Sequence, residues 1–121
     1  MRSGRTIPMI FAAGVVLASS LCTAHAGSLA GSKGDVRREP RFGTMVHGPC
    51  AGGYDRYIAA SGHSAYVSTP DGYGNENFIC SWRLNFPSKA AAEEMALKDC
   101  LAGRKKYKFP IFGRCQVLAS K

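Results

Sequence analysis

The 121-residue sequence predicts a small α+β domain in which one helix packs across a small antiparallel sheet and two disulfides cross-link the chain. Three observations lead to this fold class. Short runs of aromatic and β-branched residues alternate with turn residues, as in antiparallel strands. One alanine-rich segment has the composition and capping residues of a helix, and a further strand-like run follows it. Four cysteines remain after an N-terminal export signal, which favours cross-links.

The first 26 residues have the features of a secretory signal peptide. Arg2 and Arg5 give a positive start, residues 9–21 an apolar core, and residues 24–26 an Ala-His-Ala cleavage site. The apolar core is shorter than the roughly 20 residues of a membrane-spanning helix, so we interpret residues 1–26 as a cleaved signal and not as a membrane anchor. We expect no transmembrane span in the chain that remains after cleavage. The sequence therefore predicts a periplasmic or secreted protein whose mature chain starts at Gly27.

The mature chain is basic. Loss of Arg2 and Arg5 leaves 14 of the 16 basic residues against 8 acidic ones, a net charge of +6. Outside the cytoplasm the available polyanions are envelope polymers and lipid headgroups, which disfavours nucleic acid as a partner. Residues 27–41 are rich in Gly, Ser and basic side chains and predict a flexible basic arm. A single disulfide-stapled domain is expected at residues 42–121.

The domain is expected to begin with three strands. Residues 56–61 and 65–69 are rich in Tyr, Ile and Val, and the intervening Gly62 and His63 suggest a hairpin. Residues 70–75 form a turn cluster. Residues 78–84 have the clearest strand pattern, with alternate side chains on opposite faces. One face carries Phe78, Cys80, Trp82 and Leu84, and the other carries Ser81 and Arg83.

The predicted helix covers residues 88–102. Ser88 is a suitable N-cap, and Gly103 is placed where a helix commonly ends. Glu94 and Lys98 are ordered for an i,i+4 ion pair. The helical period gives one stripe of Ala90, Leu97 and Leu101, with Cys100 at its margin, and a second stripe of Ala91, Met95 and Ala102. A last strand is expected at residues 111–118, with Ile111, Cys115 and Val117 on one face.

The C-terminal part of the chain carries a recognisable set of residues. They are Trp82, Phe86-Pro87-Ser88-Lys89, Ala92, Ala96-Leu97, Cys100 and Cys115-Gln116-Val117-Leu118-Ala119. This set resembles a small exported domain of uncharacterised function that is common in alphaproteobacterial proteins. The resemblance implies an aromatic strand, a Ser-capped helix and a Cys100–Cys115 bridge, but it implies no catalytic residue. This chain departs from the family in its longer, basic connection between the two cysteines.

The four cysteines outside the signal peptide permit three disulfide pairings. We favour Cys50–Cys80 with Cys100–Cys115, because the second pair would tie the helix to the strand that follows it. A structural zinc site with four thiolates is the alternative, but no C-x2-C pair is present. We therefore expect no metal and no cofactor.

A basic run is the sharpest functional candidate. It consists of Arg104, Lys105, Lys106 and Lys108, with Arg114 nearby and Tyr107 within it. These cations suit the phosphate or sulfate groups of an envelope polymer or of lipid headgroups. Cations after a helix C-terminus also offset its dipole without binding any ligand. We favour a non-enzymatic binding or envelope-associated module, with residues 37–41 of the arm facing the same anionic partner.

Two other functions remain open from the residues. His47 and His63 are suitable for general acid–base cleavage of a phosphodiester, as in a small cationic secreted hydrolase of the nuclease type, although their spacing does not show that they meet. The other alternative is a protein inhibitor that docks on a secreted enzyme. Because this chain is positively charged, an acidic enzyme would be its expected target. Six aromatic residues have two alternative roles: they line a groove for a carbohydrate or a peptide, or about half of them fill the core beside the sheet. They are Tyr54, Tyr57, Tyr66, Tyr73, Phe78 and Trp82.

Overall fold

A computed structural model describes residues 27–43, 47–69, 78–108, 111 and 113–121. The predicted signal peptide, residues 1–26, lies outside the described residues, as does Tyr73. The elements in chain order are β1 (Asp35–Val36), α1 (Pro49–Ala59), β2 (His63–Ser68), β3 (Cys80–Phe86), α2 (Lys89–Lys106) and β4 (Gln116–Ser120).

The four strands form one antiparallel sheet in the order β1-β4-β2-β3. Because side chains alternate along a strand, β2 contributes to two cores. Tyr66 faces α1, whereas Ala65 and Val67 face α2. The predicted α+β class with its antiparallel sheet is confirmed, but a helix covers each face of the sheet rather than one face only.

The second helix, α1, occupies a segment that we predicted as a strand. Residues 56–59 are its last turn, so the predicted hairpin between residues 56–61 and 65–69 is wrong. Ala51, Tyr54 and Tyr57 are buried at a spacing of three residues, which is the period of a helix and not of a strand. Tyrosine and isoleucine favour strands, and this preference concealed the helical spacing. Pro49 at the start is compatible with a first helical turn.

The core between α1 and the sheet is built from tyrosines. Tyr54 stacks on Tyr57 with ring centroids 5.7 Å apart and meets the edge of Tyr66 at 5.2 Å. The Tyr57 hydroxyl donates to the carbonyl of Lys33 at 2.7 Å, and the Tyr66 hydroxyl donates to that of Cys50 at 2.9 Å. Burial raises the pKa of both Tyr57 and Tyr66. These rings therefore fill the core and do not line a groove.

Helix α2 begins as predicted but ends later. The Ser88 side chain accepts a hydrogen bond from the Ala91 N–H at 3.1 Å, which confirms the N-cap. The helix continues through Gly103 to Lys106, so the predicted end at residue 102 is wrong. A Cβ at Gly103 would lie at an ordinary contact distance, 3.4 Å, from Ile79, and the glycine lies inside the helix without ending it.

The buried face of α2 also differs from the predicted stripe. It consists of Ala92, Ala96 and Cys100, all fully buried, whereas Leu101 is 51% exposed. Small side chains let the helix approach the sheet so closely that the Ser81 hydroxyl donates to the Ala96 carbonyl at 2.6 Å.

The face assignments of β3 are confirmed. Cys80, Trp82 and Leu84 pack on the tyrosine core, whereas Ser81 and Arg83 face α2. The Arg83 guanidinium donates to both carboxylate oxygens of Asp99, at 2.5 and 3.0 Å.

The last strand is shorter than the predicted one. β4 starts at Gln116, and Ile111 and Cys115 precede it, although both pack with Val117 in the core beneath α2. The register against β2 shifts between Tyr66 and Val67, which pair with Ala119 and Val117. The intervening Leu118 is therefore a bulge residue, and it faces the tyrosine core.

Residues 27–41, which we expected to be a flexible arm, are held on the domain in the structure. Asp35 and Val36 pair with β4. The Leu29 N–H donates to the Ser61 carbonyl just after α1 and the Gly31 N–H to the Ile58 carbonyl in its last turn, each at 2.8 Å. Lys89 forms an ion pair with Asp35 and holds the pKa of that carboxyl below its usual range. We refer to residues 27–41 as the N-terminal segment.

A buried lysine joins this segment to the rest of the domain. The Lys121 ammonium donates to the carbonyls of Leu29, Ser32 and Ile58 at 2.8, 3.1 and 2.9 Å. It also lies 5.1 Å from the ring centroid of Tyr57. Burial lowers the pKa of Lys121, while the three carbonyl dipoles favour its charged form. The low apolar content of residues 27–41 predicted a mobile segment. In the structure, hydrogen bonds to backbone carbonyls hold this segment on the domain although it buries few apolar side chains.

Both favoured disulfides are present. Cys50–Cys80 joins α1 to β3 with Cα atoms 5.7 Å apart, and Cys100–Cys115 joins α2 to the chain entering β4 with Cα atoms 6.0 Å apart. Because all four thiols are paired, they cannot form the alternative zinc site. Disulfides of this kind fit an oxidising compartment.

Candidate cationic surface

The candidate site is built on the last turns of α2. Because the helix extends to Lys106, Lys105 and Lys106 lie on helical backbone instead of in a loop. The N–H of Tyr107 closes the helix by donating to the Gly103 carbonyl at 3.2 Å. Basic residues in a last turn are favourable for the helix dipole, so the arrangement stabilises α2 whether or not it binds a ligand.

Arg104 has a structural role within this run. Its guanidinium donates to the backbone carbonyl of Gly113 and, at 3.1 Å, to that of Ile111. It thereby holds the chain that returns from α2 towards β4, near the Cys100–Cys115 disulfide. Of the five predicted binding residues, Arg104 therefore has its donors engaged by the protein itself.

The other four cations are exposed. Lys105, Lys106, Lys108 and Arg114 form no ion pair or side-chain hydrogen bond with any residue that the structure describes. We call these four side chains the cationic surface.

The acidic residues of α2 are engaged elsewhere. Glu93 pairs with Arg37 at 3.0 Å and accepts from the Ser120 hydroxyl at 2.6 Å. The predicted pair of Glu94 and Lys98 is present at 3.7 Å. With Asp99 held by Arg83 as described above, each carboxylate of this helix already has a cation beside it. Positive charge at the end of α2 is therefore left without a carboxylate on the same helix.

The arginines of the N-terminal segment do not join the cationic surface as one face. Arg37 is paired with Glu93, and the N–H groups of Arg37 and Arg38 donate to the Leu118 carbonyl at 2.8 and 3.2 Å. Arg38 and Arg41 line a small cavity on the tyrosine side of the sheet, whereas α2 covers the opposite side. Arg38 and Arg41 therefore lie on the other side of the sheet from α2, and Arg37 is bound near the start of that helix and not at its end.

This cavity is too small for a sugar or a peptide side chain. Its volume is about 10 Å³, which is space for roughly one water molecule. The lining residues are Arg38, Glu39, Pro40, Arg41, Phe42, Tyr66, Ser68, Phe78 and Leu118. Phe78 of the proposed aromatic groove lines this cavity.

The two histidines do not converge. His47 lies just before the first turn of α1, and His63 begins β2 beyond the last turn. The 11 residues of α1 separate these ends by about 16 Å at 1.5 Å per residue. Both side chains are exposed. No pair of imidazoles in the described part of the chain is therefore placed to share one phosphodiester.

The Ser64 hydroxyl, next to His63 in β2, is bound by the backbone. It donates to the Gly62 carbonyl at 2.9 Å and accepts from the Asn85 N–H at 3.2 Å. Asn85 has a φ of 58°, a left-handed conformation that asparagine tolerates, and its side chain accepts from the Gly62 N–H at 2.8 Å. Within the described ranges, no three His, Cys, Asp or Glu side chains are grouped to bind a metal ion.

One feature of the site was missed in the sequence. Leu101 shares a helical stripe with Ala90 and Leu97 in the sequence, and the structure places it at the surface, one turn before Lys105. A signal was available, because a disulfide cysteine at position 100 marks the buried side and Leu101 is about 100° further round the helix.

Comparisons with protein families, with curated proteins and with solved structures find no match to this chain. Among the residues described, none of the helices has the length and apolar character needed to cross a bilayer.

Proposed function

We propose that this protein is a non-enzymatic, periplasmic or secreted module that binds an anionic partner of the cell envelope through the cationic surface. One observation carries the proposal. Lys105, Lys106, Lys108 and Arg114 extend into solvent without any carboxylate partner in the described part of the chain, whereas each carboxylate of α2 is paired. The export signal, the disulfides and the resemblance to small exported domains support an envelope location.

The end of α2 is suited to present these charges to a polymer or a headgroup layer. The Cys100–Cys115 disulfide and the carbonyl contacts of Arg104 hold the backbone on both sides of the cations. A fixed backbone reduces the conformational entropy that binding would otherwise cost. Exposed charges interact over about 8 Å at physiological ionic strength, so neighbouring lysines act together on one run of phosphates or sulfates.

Binding is favoured over hydrolysis because the described residues assemble no acid–base pair. His47 and His63 lie at opposite ends of α1, and the Ser64 hydroxyl is engaged by the backbone. Lysines that bind through charge alone need no such convergence.

The test is a charge reversal with a matched control. Each lysine near an anionic surface contributes about 1 kcal/mol. Loss of two such contributions alone corresponds to about a 30-fold weaker affinity, and reversal of charge adds to this. The K105E/K106E variant should therefore lose binding to polyphosphate and to vesicles containing phosphatidylglycerol, measured at physiological salt.

The control carries the same change in net charge elsewhere. Lys33 and Arg56 are exposed and lie on the N-terminal segment and on α1, so K33E/R56E should keep most of the affinity. Equal losses in both double variants would show that net charge alone attracts the anion. Unchanged binding by K105E/K106E would refute the proposed surface.

A further inference from the structure

We infer that the Cys100–Cys115 disulfide is a redox switch for the cationic surface. In the oxidised protein it holds Arg114 beside the end of α2, and its reduction by a dithiol releases Arg114 from the lysines. This inference rests on the proposed function and adds its regulation, because the oxidised protein binds the anionic partner more tightly. The predicted export signal agrees with such regulation, since thiols stay reduced in the cytoplasm and disulfides persist outside it.

The first observation is where the two cysteines lie relative to the cations. The three lysines of the cationic surface follow Cys100 in the chain, whereas Arg114 directly precedes Cys115. The disulfide bridges a sequence separation of 15 residues, and its Cα atoms are 6.0 Å apart. It thereby brings the cation of the returning chain next to the cations of the helix end.

In the described part of the chain, few other contacts join these two parts of the surface. Cys100 is the last buried residue of α2. Beyond it, Arg104 donates to the carbonyl of Ile111 and to that of Gly113, which belongs to the peptide bond preceding Arg114. The contact with Gly113 is exposed and that with Ile111 is only partly buried, so water competes for both. The disulfide is therefore the principal link between the helix end and Arg114.

Like charges oppose this arrangement. Residues 104–115 contain five basic side chains and no carboxylate. Exposed charges interact over about 8 Å at physiological ionic strength, so these cations repel one another. Once the disulfide is broken, the repulsion moves Arg114 away from the lysines. Attraction of a polyanion depends on the summed potential of neighbouring cations, and the affinity therefore falls.

Reduction is a thiol–disulfide exchange in two steps. A thiolate of the dithiol attacks Sγ of Cys115, because Cys115 is partly buried whereas Cys100 is fully buried. The Sγ–Sγ bond breaks, the Cys100 thiolate leaves and takes up a proton, and a mixed disulfide forms on Cys115. The second thiolate of the reductant then attacks this mixed disulfide and releases Cys115, which takes up the second proton. The dithiol becomes a disulfide, so two electrons pass to the protein.

The experiment is a double-mutant cycle with a matched control disulfide. C100A/C115A removes the switch, and C50A/C80A removes the other disulfide, which joins α1 to β3. R114Q is added to wild type and to each cysteine variant. Affinity for polyphosphate is titrated at physiological salt, and circular dichroism checks that each protein is folded.

R114Q should weaken binding by wild type about fivefold, which is the contribution of one cation near an anionic surface. C100A/C115A should weaken binding by a similar factor, and R114Q should then have no further effect. C50A/C80A should keep both the affinity and the R114Q effect of wild type.

Wild-type affinity of C100A/C115A, or a full R114Q effect in that background, overturns the inference and leaves the proposed function standing. Equal losses of affinity in the two cysteine variants overturn it too, because they would reflect stability alone. If instead K105E/K106E binds polyphosphate as wild type does, the proposed function itself fails.

Stepwise reduction of wild-type protein with dithiothreitol is a second measurement that needs no variant. Alkylation and peptide mass spectrometry follow each disulfide separately. The affinity for polyphosphate should fall with the reduced fraction of Cys100–Cys115. An affinity that follows Cys50–Cys80, or that follows neither bond, contradicts the inference.

Discussion

Replacement of Lys121 by methionine tests how the N-terminal segment is held on the domain. The lysine ammonium donates to three backbone carbonyls, and two of these belong to Leu29 and Ser32 of that segment. Methionine keeps an apolar stem of similar length but leaves all three acceptors without this donor.

The expected cost follows from two opposing effects. Hydrogen bonds from a charged donor contribute about 1.5–3 kcal/mol each. Desolvation of a buried ammonium costs several kcal/mol and offsets much of that sum. We therefore expect the free energy of unfolding to fall by about 2 kcal/mol in K121M. In a domain of this size that corresponds to a decrease in Tm of roughly 10 °C.

Urea denaturation of oxidised protein measures this change. The matched control is K108M, in which an exposed lysine undergoes the same substitution and stability should change by less than about 0.5 kcal/mol. Limited trypsin digestion provides a local readout, because release of the segment should speed cleavage after Lys33. A K121M protein with wild-type stability and an equally protected Lys33 would refute the proposed role of the ammonium.

Two further predictions concern the core next to α1. A Cβ at Gly53 would lie 2.3 Å from the Trp82 ring, whereas Gly52 has open space around it. Thermal melts should therefore show that G53A lowers the free energy of unfolding by about 1–3 kcal/mol and that G52A raises it by up to about 1 kcal/mol. Equal effects of the two would contradict the close contact with Trp82. Burial raises the pKa of Tyr57 and Tyr66, and since the unfolded chain then loses protons first, stability should fall as pH rises above about 10. Ionisation of these tyrosines, followed by ultraviolet absorbance, should therefore coincide with unfolding, and ionisation in a chain that stays folded would contradict their burial.

Helix α2 was predictable because its signals are local. Ser88 caps the first turn through a contact three residues away, and Glu94 and Lys98 pair within one turn. Such interactions need no other part of the chain. Its end was not predictable from Gly103, because the helix passes through this glycine and ends at Lys106.

Helix α1 shows why the strand preference of its tyrosines led to a wrong prediction of a strand at residues 56–61. Tyr54 and Tyr57 are common in strands, yet here they pack with each other and with Tyr66 across a helix-to-sheet interface. Burial of aromatic area against a sheet outweighs a preference of at most about 1 kcal/mol per residue.

For the candidate site, the sequence by itself determined its charge, because the lysines near position 105 are close together in the chain and no carboxylate stands among them. It also determined the cysteine content and the alternation along β3. Only the tertiary structure decided that Arg104 is engaged by carbonyls and that the two histidines stay apart. The physical reason is that charge and periodicity are properties of neighbouring residues, whereas burial and hydrogen-bond partners depend on which distant segments the folded chain brings into contact.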